Sequence, residues 1–260
     1  MMEQCVLEEA LLYNSCMNHH RRGLTALIFL LLLTGIYAYE SLKPESPPPL
    51  VVPPLPFDGA IPAPITHGDQ TKKQIIFTFD AGEGDASLSS ILVTLTKHHV
   101  KGTFFVTGQW ALRHAPQMRR IVAAGHEVFN HTFSHPDLTW ADDQSIRHQL
   151  VAADEVIVEF TGTTSQPFFR PPYGYQDERV ITIAARKGFQ SVLWTVDALD
   201  WMQSQGETKQ EVFERIMANV TPGALILMHI GDSITGAILD DVFTAIEKQG
   251  YTIVSLSQGL

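Results

Sequence analysis

From Lys72 to the C-terminus, short apolar runs alternate with longer segments of helical spacing. Gln74–Phe79 (QIIFTF) has the length and the β-branched and aromatic content of a buried strand. Ser87–His98 carries helical spacing, and Gly102–Gly108 (GTFFVTG) reads as the next strand. The alternation continues with a helix over Trp110–Ala124, a strand over His126–Asn130, and a long amphipathic helix over Asp142–Phe160. A strand at Pro167–Arg170 (PFFR) and a helix near Asp177–Lys187 follow, then a strand at Ser191–Val196 (SVLWTV). A helix near Glu207–Asn219, a strand at Ala224–Met228, a helix near Ala237–Lys248 and a strand at Tyr251–Leu256 complete the series. Alternation on this scale predicts an α/β fold around a parallel sheet, in the form of a barrel. No internal repeat is evident.

The pattern before Lys72 is different. Gly23–Tyr39 (GLTALIFLLLLTGIYAY) is uncharged and almost wholly apolar, at the short end of the roughly 17–25 residues that span a bilayer. Arg21 and Arg22 precede it and Glu40 and Glu45 follow it, which places the N-terminus in the cytoplasm and the remainder outside. The segment serves as an uncleaved anchor, or as a signal sequence with Met17 as the start and Ala38 as a cleavage position. Ser41–Pro64 holds most of the prolines and reads as an extended stalk. The expected organisation is a cytoplasmic tail (1–22), an apolar anchor or signal (23–39), a Pro-rich linker (40–70) and one catalytic-sized domain (71–260).

Charge and cysteine content narrow the chemistry. The chain carries a net charge of −10, and from Glu40 onward 16 Lys and Arg stand against 25 Asp and Glu. No extended basic face is available for phosphates, so nucleic acid is excluded as a partner. The only cysteines, Cys5 and Cys16, precede the apolar segment. The large domain therefore has no thiolate nucleophile, and any transition metal in it must sit on histidine and carboxylate ligands.

The polar residues that close the strands are the informative ones. Asp80 follows FTF, His131 follows EVFN, Arg170 follows PFF, Asp197 and Asp200 follow WTV, and His229 follows ILM. In a parallel α/β barrel the loops after the strands open on one face, and that face hosts the chemistry. One such residue is usually a helix cap; five positions supplying His, Asp and Arg point to a shared site. His131 and His135, in NHTFSH, can face one point if the segment turns helically. His19, His20, His98, His99, His114 and His148 read as flank, helix-end or surface positions.

FDAG, HTFSH, RPPYG, DALDW and LMH occur in this order. Together they resemble the five motifs of the polysaccharide deacetylase (NodB-like, carbohydrate esterase) family. KGTFFVTG and PGALILMH add similarity, and the resemblance covers the outer domain but neither the anchor nor the stalk. It implies a distorted (β/α)7-type barrel that hydrolyses acetyl groups from sugars with a divalent metal, zinc first, with cobalt, nickel or manganese possible. On the matching positions Asp80 is the general base, His229 the general acid, and His131 and His135 the metal ligands. Arg170 pairs with Asp80 and Asp200 with His229. Trp201 and Leu227 wall the pocket for the acetyl methyl, and the backbone N–H of Tyr173 helps hold the oxyanion.

The chemistry asks for these residue types independently. An amide carbonyl is a poor electrophile, so it needs polarisation, a base for the attacking water and an acid for the departing nitrogen. The implied substrate is an extracytoplasmic N-acetylated glycan, peptidoglycan or a chitin-like polymer, with the membrane as partner through the apolar segment. The alternatives are a sugar O-acetyl esterase and a catalytically silent, membrane-tethered glycan-binding protein. The oligomeric state is not specified.

One motif departs from the pattern. Two adjacent aspartates usually open the set, the second a metal ligand, and here the second is Ala81. Water or substrate fills that position, or Asp85 reaches it from the Gly-rich loop, or Asp80 itself ligates the metal. The ordinary reading of Asp85 is a cap for the helix near Ser87.

Overall fold

The structure, a computed structural model, describes residues 59–260. The expected cytoplasmic tail, the apolar segment and most of the Pro-rich stretch lie outside the described residues. Among those described, no helix is long and apolar enough to cross a membrane.

Eight strands form one sheet in which every ladder is parallel. They are β1 (Gln74–Ala81), β2 (Thr103–Val106), β3 (Glu127–Asn130), β4 (Phe168–Phe169), β5 (Gln190–Ser191), β6 (Val196–Asp197), β7 (Leu225–His229) and β8 (Thr252–Val254). The order is β5-β4-β3-β2-β1-β7-β6, with β8 beside β1. The helices between them are α1 (Leu88–Lys97), α2 (Gly108–Arg113), α3 (Ala115–Ala123), α4 (Asp143–Thr161), α5 (Glu178–Arg186), α6 (Lys209–Ala218) and α7 (Ile234–Lys248). A short α8 (Leu256–Gly259) ends the chain.

The expected α/β alternation holds, with three local differences. The stretch expected as one strand over Ser191–Val196 is two, because its hydrogen-bond partner changes midway. Val192 N–H donates to Phe169 O of β4 at 2.8 Å, whereas Thr195 N–H donates to Leu225 O of β7 at 2.8 Å. This stretch thereby links the two ends of the sheet into a barrel-like ring, and Ile65 inserts beside it, bonded to Ser191 O and Leu193 N.

The helix expected over Trp110–Ala124 breaks at His114. Pro116 cannot donate to a preceding turn, and is tolerated only because it falls in the first turn of α3. α7 begins at Ile234, ahead of the expected Ala237: Asp232 Oδ1 accepts from Ile234 N at 2.7 Å and Thr235 N at 3.1 Å. Gly236 lies inside α7, where a Cβ would come within 3.0–3.1 Å of Ser87 and Ser90.

Alternation along the strands sorts core from site. In β1, Ile75, Phe77, Phe79 and Ala81 join the large apolar layer beneath the helices, with Ile91, Leu95, Leu239 and Phe243. Ile76, Phe105, Phe129, Phe168, Val192 and Leu225 point the other way and fill the ring's interior, with Val254 and Leu256. Positions of that same inward parity at the strands' C-terminal ends are no longer apolar. They are Thr78, Asp80, His131, Arg170 and His229.

Candidate active site

Asp80 and His229 are register partners on the adjacent parallel strands β1 and β7, so their backbones are about one strand spacing, 4.7–4.9 Å, apart. Each is held by its own charged partner. Arg170 is fully buried, and its Nη1 donates to Asp80 Oδ1 at 2.6 Å. The rest of its guanidinium is also used, donating to Thr78 Oγ1 at 2.9 Å and to the carbonyls of Val192 and Leu193 at 3.3 and 3.1 Å. The ring of Phe105 lies 4.2 Å beneath the guanidinium. A buried carboxylate requires this degree of pairing. Burial alone pushes Asp80 up, but Arg170, aided by His131 and His229, outweighs it and holds the carboxyl below the ordinary range. Asp80 is thus ionised and ready to accept a proton.

His229 has the opposite poise. Its Nδ1 lies 2.9 Å from Asp200 Oδ1, and its backbone N–H donates to Asp200 Oδ2 at 2.6 Å. Thr235 Oγ1 donates to the same Asp200 oxygen. Burial would lower the imidazole, yet Asp200, with Asp80 and Asp197, raises it to about 9. The ring is cationic at neutral pH and has a proton to give. Asp232 lies behind this pair; burial and then Asp200 push its carboxyl up to about 7.

His131 and His135 sit in the loop after β3, and a helical turn is not what brings them together. Thr132 and His135 both take left-handed backbone, φ 66° and 61°. Thr132 Oγ1 accepts His135 N–H at 3.1 Å, and Gln149 Oε1 accepts the N–H groups of Phe133 and Ser134, each at 2.9 Å. The result is two rings with centroids 4.8 Å apart. His131 Nδ1 is 2.8 Å from the Arg170 carbonyl, which fixes the proton on Nδ1 and leaves the Nε2 lone pair free, 3.4 Å from Asp80 Oδ2. Burial holds both rings below the ordinary histidine value, His135 at about 4.

Neutral imidazoles with a free nitrogen are what a divalent metal requires, so this pair fits two ligand positions. No third ligand joins them: among the described residues no group of three His, Cys, Asp or Glu could hold an ion. Ala81 is fully buried in the apolar layer beneath the helices, on the opposite side of β1 from Asp80. Asp85 is not brought to the histidines, since its Oδ2 accepts from Gln117 Nε2 at 2.7 Å. Nor does it cap α1 through its side chain; Ser87 is the cap residue and only the Asp85 carbonyl bonds, to Leu88 N.

The remaining expected residues frame this centre. Leu227 is buried with the inward parity of Leu225 and His229, and Trp201 is half exposed beside Asp197. Tyr173 is exposed with its ring 4.7 Å from that of His135. His114 is half-buried where α2 and α3 meet, with its ring stacked on that of Trp110 at 5.0 Å. Sequence reasoning also missed Thr78, Thr235 and Asp232. Thr78 was within reach, because it is two residues before Asp80 and so shares its face. Thr235 and Asp232 carried no such signal, since their role depends on how α7 meets Asp200 in the turn after β6.

Residues 67–192 match the polysaccharide deacetylase family. The peptidoglycan-N-acetylmuramic acid deacetylase PdaA of Bacillus subtilis is 34% identical over 189 residues, covering 73% of this chain and 72% of that protein. Its solved structure superposes with a TM-score of 0.71, covering 75% and 84% of the two chains. A Bacillus cereus peptidoglycan-N-acetylglucosamine deacetylase is 32% identical over 193 residues, 73% of this chain and 69% of that one. The crystal structure of a Bacillus anthracis carbohydrate esterase family 4 (CE4) pseudoenzyme is also similar, at 32% identity and a TM-score of 0.73, covering 80% and 73%. The five motifs, the parallel ring and these relatives agree, and the chain belongs to the polysaccharide deacetylase family, hydrolases of the amide in N-acetylated glycans.

Proposed function

We propose that this protein removes N-acetyl groups from an amino-sugar glycan outside the cytoplasm, peptidoglycan in the first instance. The observation that carries the reading is the pairing of an ionised Asp80 with a cationic His229 at one register position of adjacent strands. A binding surface has no use for a base and an acid held at opposite poise. His131 and His135 would hold a divalent metal, zinc first, with cobalt, nickel or manganese as substitutes. Bound there, the metal would polarise the acetyl carbonyl and acidify water. Asp80 takes the proton of the water that adds to the carbonyl carbon. The Tyr173 backbone N–H steadies the developing oxyanion. His229 protonates the amide nitrogen as the C–N bond breaks, so acetate and a free amine leave. Leu227 and Trp201 enclose the methyl group.

The peptidoglycan reading is supported by the substrates for which PdaA and the Bacillus cereus relative are named. The apolar Gly23–Tyr39 with Arg21 and Arg22 before it supports attachment at the membrane with the domain outside. The test is acetate release from N-acetylglucosamine oligomers and cell-wall glycan with zinc, cobalt, nickel or manganese. Release that stops with a chelator is expected, and none with any of these metals rejects the reading. An O-acetyl esterase would need His229 far less, so His229→Ala should abolish amide cleavage and spare ester cleavage only in that case.

A second reading has its own observation. Ala81 removes a usual ligand, and a similar fold is that of a CE4 pseudoenzyme. On that reading the protein is a silent, tethered glycan binder. Saturable glycan binding indifferent to chelator, without acetate release, would establish it.

A further inference from the structure

Asp232 stands just beyond the end of β7, and the fold treats its two carboxyl oxygens differently. Oδ1 caps the first turn of α7, accepting the N–H groups of Ile234 at 2.7 Å and Thr235 at 3.1 Å. Oδ2 is buried, and no donor among the described residues reaches it. An ionised oxygen is expensive to leave in that state.

The carboxyl is not free to turn toward water. Two bonds hold Oδ1, and the backbone is pinned from α1, where Ser87 Oγ donates to the Asp232 carbonyl at 2.5 Å and accepts Gly236 N–H at 2.8 Å. What lies within hydrogen-bonding reach is a second acid, Asp200. Thr235 joins the two, its N–H on Asp232 Oδ1 and its Oγ1 on Asp200 Oδ2. Asp200 is fully buried and already engaged by His229, through Nδ1 at 2.9 Å and the backbone N–H at 2.6 Å, so it stays ionised to balance the imidazolium. Two carboxyls so placed cannot both be charged at little cost. Burial and then the Asp200 charge raise Asp232 to about 7. The other charged groups on this side are His229 at the end of β7, with Asp197 of β6 and Asp80 of β1 around its ring. The loop after β1 adds Glu83, whose carbonyl packs on Gly231.

We propose that Asp232 is a positioning residue of the acid half: its Oδ2 carries a proton, donates it in a hydrogen bond to the Asp200 carboxylate, and so sets how tightly His229 holds its own proton. With that proton in place, Asp200 faces one cation and one neutral donor. Once it is lost, a second negative charge stands behind His229, and the imidazolium gives up its proton less readily. The consequence for acetate release rests on the deacetylase reading; the shared proton does not.

The test follows the His229 imidazole by NMR from pH 5 to 11 in the chelator-treated full-length protein, its Asp232→Asn variant and Asp232→Ser as a second neutral cap. In the parent the His229 signals should move in two steps, a small one near 7 as Asp232 ionises and a large one as the ring does. Both variants should lose the small step and lower the midpoint of the large one by roughly 1 pH unit, the effect of removing one nearby charge. In the zinc-loaded protein the alkaline limb of kcat should move down with it. Unfolding supplies a second sign. The folded value of Asp232 lies above the ordinary value of about 3.9, so between about 4 and about 7 the folded state holds the extra proton and the parent loses stability as pH rises. Asp232→Asn escapes that loss, and its Tm should gain on the parent's from pH 5 to pH 8. A plain carboxylate cap predicts the reverse, because an ionised Asp favours a helix N-terminus. A one-step His229 titration in the parent, a midpoint unmoved by both variants, or a Tm difference that turns against Asp232→Asn as pH rises each overturns the proposal. A two-step titration abolished by the variants, with no acetate release from any glycan, would retain it and reject the deacetylase reading instead.

Discussion

The site has two halves built to different standards. The acid–base half, Asp80 with Arg170 and His229 with Asp200, stands at or just beyond strand ends, with Asp80, Arg170 and Asp200 buried and His229 partly exposed, and every charge in it has a charged partner and further hydrogen bonds. In the histidine half, His131 directly follows β3 but His135 is set by a loop with two left-handed residues, and the strand position beside Asp80 carries only a methyl group. The difference teaches where this fold stores its precision. A sheet fixes what two neighbouring strands present at one register, whereas a loop-borne site depends on its complement of ligands, and here one is gone.

The sharpest way to break that comparison is at Arg170. Arg170→Met should leave Asp80 buried and unpaired, costing about 3–5 kcal/mol of stability. Its carboxyl should then rise above the ordinary range, because burial is the largest influence on it once the guanidinium is gone. Denaturant unfolding measures the first effect, and acetate release should fall to background. Unfolding at the parent midpoint would show that the pairing is not what holds this half together.

Next in size are the two proton carriers. Asp80→Asn and His229→Ala should each lower acetate release by roughly 10²–10⁴-fold, the usual worth of a general base or acid. The double variant should lose little more than either single, because the two act on one reaction. A nearly unchanged rate for either variant would remove that residue from the chemistry. In the histidine half, His131→Ala or His135→Ala should weaken zinc binding by more than the roughly 10–100-fold typical of outer partners. Calorimetric titration reads this without any turnover.

A smaller effect sharpens the contrast between the halves. Ala81 is packed among Phe77, Phe79 and the helices, so its carbon points away from the Asp80 side of β1. Ala81→Asp must either twist the strand end or bury a carboxylate in that layer. We expect a stability loss of about 1–3 kcal/mol together with tighter zinc binding. Tighter binding at no cost in stability would mean the strand end yields freely. A loss of stability with no gain in affinity would mean that the position is committed to the core.

How much of this was legible in sequence follows from the same physics. The parallel α/β alternation and the residues closing each strand were readable, because burial imposes its period locally. Asp80, Arg170, Asp200 and His229 are brought together as expected. The division of Ser191–Val196 was not readable, since it arises when one strand changes partner from β4 to β7, a fact of the ring's closure. The break at His114 could have been read from Pro116. The route by which His131 and His135 converge was misread, because helical spacing and a left-handed turn both satisfy an HxxxH pattern. The position of Asp85 depended on Gln117, a residue of α3 that spacing along the chain could not bring near.

The last prediction tests the acid half by pH alone. His229 has its folded value raised to about 9 by Asp200 once burial is overcome, against about 6.5 for an unfolded histidine. Between those values the folded state binds the extra proton, so stability must fall as pH rises. The contribution is complete below about 6.5 and gone above about 9. Thermal unfolding of chelator-treated protein from pH 6 to 10 should show this decline, and His229→Gln should flatten it. The same proton is the one delivered to the leaving nitrogen, so kcat for amide cleavage should drop on an alkaline limb in the same region. Equal slopes in the two proteins would mean that Asp200 orients the imidazole without holding its charge. His229 would then have to receive its proton after substrate binds, and the two halves of the site would be alike in waiting for a ligand to complete them.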